Sequence, residues 1–174
     1  MLCIEPTSAA FAELSKFVAR DGRSTAVRLA LGDVEERARI HIAGNSQSSS
    51  LLRMLPAHAA AAPGSTYVGS EEIEIRRLDS ILPHHAHRQQ RVFLKVDAQG
   101  YEQRVIAGAS AVLEQIHVVQ LELSFVPLYE GEMLFDAACA SMRRLGFGIA
   151  GVSPAFSDPD SGRLLQVDVL FTRS

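Results

Sequence analysis

Two apolar runs, "RVFLKVD" at 91–97 and "IHVVQLELSF" at 116–125, flank the stretch "GYEQRVIAGASAVLEQ", and this succession constrains the fold more than any other feature. Each run has the length and apolar density of a buried strand. Between them, Val105, Ile106, Ala109, Val112 and Leu113 recur at helical spacing and supply an inward side. Strand, helix and strand at this spacing argue for an α/β fold with a mostly parallel sheet.

The rest of the chain repeats the theme. "MLCIEP" reads as a short strand, and "TSAAFAELSKFVARDG" as a helix with Phe11, Leu14, Phe17 and Val18 in one stripe. Thr7 or Ser8 is placed to cap its start, and Asp21-Gly22 to stop it. "TAVRLALGD" is strand-like, and "ARIHIAG" alternates as on a partly solvated face. "EEIEIRRLDSIL" carries Ile73, Ile75 and Leu78 into a turn or short helix capped by Asp79. "MLFDAACASMRRLGF" is an amphipathic helix ended by Gly146, with Met133, Phe135, Met142 and Leu145 toward the core. "GFGIAGVSPAF" and "LLQVDVLFT", joined by a turn at 158–162, predict an antiparallel hairpin. The expected architecture is α/β, one domain over 1–174, with a mostly parallel sheet and an antiparallel C-terminal edge.

Composition narrows the function classes. A net charge of −3 with dispersed basic residues argues against a nucleic-acid partner. No apolar run reaches the length of a membrane span. Cys3 and Cys139 lie far apart in apolar settings and suit thiols of a reducing compartment. With no leader-like start, the expected location is cytoplasmic.

The polar residues inside the apolar strands carry the functional signal. Side chains alternate across a sheet, so Phe93, Lys95 and Asp97 share one side, as do Gln120, Glu122 and Ser124. If the two strands are neighbours, roughly 4.8 Å apart, Lys95 can neutralise Glu122 or reach Asp97. Two readings fit Asp97. It caps the following helix, or it stands at a strand's carboxyl end, where ligands of open α/β sheets bind. Glu5 repeats the choice between a helix-start acid and an acceptor for ribose hydroxyls. His84, His85 and His87 fall in the polar connector "HHAHRQQ" and read as surface. "PAHAAAAPG" is a short helix or an insert, and "NSQSSSLL" is a connector or the cover of a pocket.

"IEP" at 4–6, "LALGD" at 29–33, "SSSLL" at 48–52, "RRLDSIL" at 76–82, "FLKVDAQGYE" at 93–102 and "LELS" at 121–124 together resemble the FkbM-type methyltransferases. The resemblance implies a class I, Rossmann-like fold and S-adenosylmethionine-dependent O-methylation of a small hydroxylated metabolite or sugar. It implies that Glu5 holds the cofactor ribose and that Ala30 and Leu31, with Asp33, flank the adenine. It sets Asp97 near the reactive methyl and the incoming hydroxyl, with Glu122 beside it. Lys95 and Glu102 would orient these groups, and Asp79 belongs to the leucine-aspartate element. Paired carboxylates also offer oxygen ligands to a divalent cation, which the leading reading does not use. The family's first strand and glycine-rich loop would precede "IEP", with that strand central between those ending in Glu5 and Asp97. The chain begins at the Glu5 strand, so the expected sheet is N-terminally incomplete. The alternative function is a binding or assembly module, homo-oligomeric through exposed strand edges.

Overall fold

The computed structural model describes residues 1–87 and 90–173. Strand β1 (Leu2–Ile4) leads through helix α1 (Ser8–Asp21) to β2 (Thr25–Val27), its parallel partner. A second sheet has the order β3-β5-β4, from β3 (Ala30–Leu31), β4 (Glu36–Ala43) and β5 (Tyr67–Arg76). A third has the order β6-β7-β9-β8, from β6 (Val92–Val96), β7 (Ile116–Ser124), β8 (Phe147–Ser157) and β9 (Leu164–Arg173). The remaining helices are α2 (Pro56–Ala61), α3 (Leu78–Ile81), α4 (Glu102–Ala107) and α5 (Phe135–Arg144).

This is a mixed α/β fold with several sheets: the antiparallel C-terminal edge expected from sequence is present, and among the described residues the strands expected in one mostly parallel sheet are divided among three. The β1–β2, β3–β5 and β6–β7 pairings are parallel, whereas β4–β5, β7–β9 and β8–β9 are antiparallel. "TAVRLALGD" is the point of divergence. It breaks between Val27 and Ala30, so its first half pairs with β1 and its second half with β5. The C-terminal hairpin forms as expected, with Asp158 accepting the backbone N–H groups of Asp160 and Ser161 in its turn. Its first strand, β8, is the outer one and is largely exposed. Pro154 and register shifts after Ile149, Pro154 and Phe156 interrupt it.

The core is built on β7. Ile116, Val119, Leu121 and Leu123 are buried there against Val167, Val169 and Phe171 of β9 and Ala138, Cys139 and Met142 of α5. Met133, Phe135 and Leu145 pack against this cluster, as the helical stripe predicts. Burying each large aliphatic side chain is worth about 2 kcal/mol.

Between β6 and β7 the helix is shorter than its sequence suggests. It ends at Ala107, and turns and a single 3-10 turn carry the chain to β7. Gly108 follows the last helical residue, where only glycine fits: a Cβ there would lie 1.9 Å from the carbonyl oxygen of Gly32. Its own carbonyl accepts the Asp79 N–H at 3.0 Å, so the chain is pinned against two other segments. Gly108→Ala is therefore expected to destabilise the fold by at least about 2 kcal/mol, since the obstacle is backbone and cannot rotate away. Thermal unfolding of the variant checks this, with a fall of roughly 5 °C or more expected.

Two of the expected helix starts are built differently. Thr7 occupies the position before α1 but makes no side-chain cap, and its N–H and hydroxyl instead donate to Glu5 Oε1. Arg77, not Asp79, precedes α3. "PAHAAAAPG" resolves into α2 followed by one 3-10 turn.

The edges of β1 and β6 remain open. Met1 O accepts from Thr25 N, and Glu5 N donates to Val27 O, so the intervening Leu2 and Ile4 backbone groups point away from β2. β6 is paired on its β7 side alone, and among the described residues no strand pairs with the outer side of either. Both open edges line one cavity of about 1180 Å³, walled by Leu2, Ile4, Val92, Leu94 and Val96. The central position expected between the Glu5 and Asp97 strands is thus a slot in this structure. Helix α1, beside it in sequence, contains no buried residue.

Candidate functional site

Acidic residues stand at the carboxyl ends of both open strands. Glu5 follows β1 and Asp97 follows β6, and both line the same cavity. Ala30, Leu31 and Lys95 line it too, so five of the residues singled out from sequence meet around one space. Ser46, Gln47, Ser49 and Ser50 add a polar rim from the "NSQSSSLL" loop.

Strand β6 alternates as read. Phe93, Lys95 and Asp97 face outward and are exposed, while Val96 is buried. The strand is therefore not buried on both faces. Lys95 Nζ lies 3.5 Å from Asp97 Oδ2, with the two side chains 53% and 43% exposed, and it makes no hydrogen bond to Glu122. A pair so exposed contributes little to stability and leaves Asp97 accessible.

Asp97 does not cap α4, which corrects one of its two readings. Tyr101 holds the position before that helix, and Glu102 closes the turn by accepting the N–H groups of Ala98 at 2.8 Å and Gly100 at 3.3 Å. Burial pushes the Glu102 carboxyl up to about 8, against the effect of these donors. Gly100 has φ of +93°, and a Cβ there would come within 2.9 Å of Tyr129 Cβ, so the tight turn after Asp97 requires glycine.

Gln99 and Tyr129 belong to the site and are missing from the sequence-based candidates. Gln99 Nε2 donates to Asp97 Oδ1 at 2.8 Å and to Glu122 Oε2 at 3.0 Å. Its Oε1 accepts from the Tyr129 hydroxyl at 2.7 Å. Glu122 thus sits beside Asp97 but behind the cavity wall. Burial, then the charges of Asp97 and Asp168, push its carboxyl up to about 7, with Gln99 and Lys95 opposing. The "SSSLL" element straps this loop down: Ser50 Oγ donates to Gln99 O at 2.7 Å and accepts from Leu52 N at 3.0 Å. The only local signal for Gln99 was a polar residue wedged between a strand-end acid and a glycine.

Other candidates lie elsewhere. Asp33 is outside the cavity lining and is held by Arg104 at 3.1 Å. Asp79 pairs with Arg77 and accepts the Ala111 N–H at 2.9 Å, tying α3 to the turns after α4. His84, His85 and His87 are exposed, and the connector's Arg88 and Gln89 lie outside the described residues. Among the described residues no three His, Cys, Asp or Glu side chains are grouped to hold a metal ion. Between Asp97 and Glu122 stands an amide N–H donor, which suits two anions and opposes a cation.

A cavity with an acid at each of two strand ends and apolar walls matches the needs of a nucleoside-bearing cofactor. The family model for the "Methyltransferase FkbM domain" matches residues 1–149. The chain belongs to the FkbM methyltransferase family. No curated protein and no solved structure gives a significant match. The matched region runs from β1 through α5 and includes every cavity-lining residue together with Glu122 and Tyr129. FkbM membership implies S-adenosylmethionine as cofactor and a small-molecule substrate. Among the described residues no helix is long and apolar enough to cross a membrane.

Proposed function

We propose that the site transfers a methyl group from S-adenosylmethionine to a hydroxyl oxygen of a small metabolite or sugar. The observation that carries this reading is the convergence of Glu5 and Asp97, from two different strands, on one cavity. When bound, the cofactor supplies an electrophilic methyl group. Glu5, with one oxygen engaged by Thr7, has its other oxygen to accept ribose hydroxyls. Ala30 and Leu31 offer apolar contact to the adenine; Asp33, committed to Arg104, does not join them. Asp97 would accept the hydrogen bond of the incoming hydroxyl, align its lone pair toward the bound methyl donor and take up the hydroxyl proton. Lys95, which also lines the cavity, stands 3.5 Å from the second Asp97 oxygen. The two free cysteines suit a reducing compartment, and this reading assigns the protein to the cytoplasm.

A second reading rests on a separate observation, the two open strand edges along the slot. Unpaired backbone N–H and C=O groups on both walls favour an added strand, as in an assembly module that pairs with a second copy. Titration calorimetry with S-adenosylmethionine, coupled to hydrogen exchange over a range of protein concentration, separates the two. The methyltransferase reading expects binding that Glu5→Gln weakens by about ten-fold or more, the loss of a charge-assisted hydrogen bond. Equal binding by the two forms would remove Glu5 from the cofactor site. Absence of binding, with exchange at Leu2–Ile4 and Val92–Val96 slowing as concentration rises, would favour the assembly reading.

A further inference from the structure

Gln99 is held by both ends of its amide and by its backbone. Its Nε2 reaches Asp97 Oδ1 and Glu122 Oε2 at 2.8 and 3.0 Å, and its Oε1 receives the Tyr129 hydroxyl at 2.7 Å. Its φ of +52° is a left-handed conformation uncommon outside glycine, and Ser50 Oγ secures its carbonyl in that shape. Tyr129 is fully buried, and its hydroxyl also lies 3.3 Å from Ser48 O. With the tyrosine proton directed at Oε1, the NH2 end must face the carboxylates. The flipped amide would set its oxygen against both carboxyl groups and lose the two bonds to Asp97 and Glu122, and it would force the tyrosine proton onto the longer contact to Ser48 O.

We propose that Gln99 is a positioning residue for methyl transfer, its amide oriented by Tyr129 so that it fixes the Asp97 carboxylate toward the acceptor and couples it to Glu122. The proposal rests on the reading of Asp97 as the acceptor-side group. Asp97 borders the cavity and Glu122 does not, so the amide is the only hydrogen-bonded link between them among the described residues. Without it, two carboxylates would face each other with no donor between, and Asp97 would be free to rotate toward Lys95.

Every charged group near Glu122 enters the test. Asp97 and Lys95 act from β6, Asp168 from the β9 position paired with Glu122, and Glu102 and the Tyr129 hydroxyl from behind. In Gln99→Leu these all remain while both amide bonds to the carboxyl groups, and the bond from Tyr129, are lost. Carboxyl 13C NMR titration of the chain without cofactor then reads the coupling directly. The expected result is a Glu122 proton affinity raised by about ten-fold, one pH unit in midpoint. Repeating the titration on Asp97→Asn should show Glu122 shifting down, because a neighbouring negative charge has gone. A role confined to loop stability would lower the melting temperature of Gln99→Leu and leave the Glu122 midpoint where it was, and that result would overturn the proposal. Should Gln99→Leu not fold, Tyr129→Phe removes only the anchor of the amide oxygen. A rise of about three-fold in Glu122 proton affinity is expected there, and no change would equally refute the proposal. Because no cofactor is present, failure here leaves the S-adenosylmethionine calorimetry to decide the methyltransferase reading independently.

Discussion

Asp97→Asn is expected to lower methyl transfer by about 10²-fold or more while S-adenosylmethionine affinity changes by no more than about two-fold. Asparagine fills the same space but takes no proton, and its amide end would turn toward Gln99 or Lys95, both of which are donors. The loss falls on the step in which the hydroxyl proton must leave. Cofactor contacts assigned to Glu5, Ala30 and Leu31 are untouched. Stability should move by less than about 1 kcal/mol, because the only ion pair lost is the exposed one to Lys95. Radiolabelled methyl transfer to a panel of hydroxylated acceptors, run beside calorimetry, separates the two quantities. Unchanged transfer in Asp97→Asn would take Asp97 out of the chemistry.

Glu102→Gln should produce the largest change in how stability depends on pH. The Glu102 side chain is buried, at 6% exposure, and its carboxyl is pushed up to about 8 from an ordinary 4.5 by that burial. Between those values the folded protein holds a proton that the unfolded chain has released. Stability is therefore full below about pH 4.5 and falls as pH rises through about 8, by up to roughly 1.4 kcal/mol per pH unit. Glu122, pushed up to about 7, adds a decline of the same sign over the lower part of that window. Glutamine keeps an oxygen for the Ala98 and Gly100 N–H groups and has no proton to lose. The variant is expected to equal the parent near pH 5 and to exceed it by on the order of a few kcal/mol near pH 9. Denaturant unfolding at the two pH values measures this. Parallel behaviour of the two proteins would mean that Glu102 does not carry a raised pKa.

The parts of the site that sequence made legible are those with a local signature. Period-two alternation set Phe93, Lys95 and Asp97 on one face of β6, and their shared exposure agrees. Strand-end acids before a helix marked Glu5 and Asp97, because a strand's end and a helix's start are both readable from a few residues. What sequence did not disclose depends on partners far along the chain. Asp33 is drawn away by Arg104, 71 residues later, and Gln99 is oriented by Tyr129, 30 residues later. "GASAVLEQ" has respectable helix formers, yet α4 ends at Ala107, beside a glycine pressed against Gly32 O from 76 residues earlier in the chain. The gap between the Glu5 and Asp97 strands follows from the missing central strand, but the separation of β1–β2 from β3–β5 had no such signal. "TAVRLALGD" reads as one apolar run interrupted only by Arg28, and that single charge stands at the break that sends its halves to different partners.

The two kinds of edge in this molecule differ in their exposure to misassociation. β8, the outermost strand, carries Pro154 and repeated register shifts, which spoil the regular ladder that a neighbouring molecule would need to extend the sheet into a stack. β1 pairs in unbroken register, and β6 does so from Phe93 to Val96, so the backbone most receptive to a further strand lies along an internal cavity. The interrupted ladder therefore faces outward from the sheet, and the regular ones face the cavity.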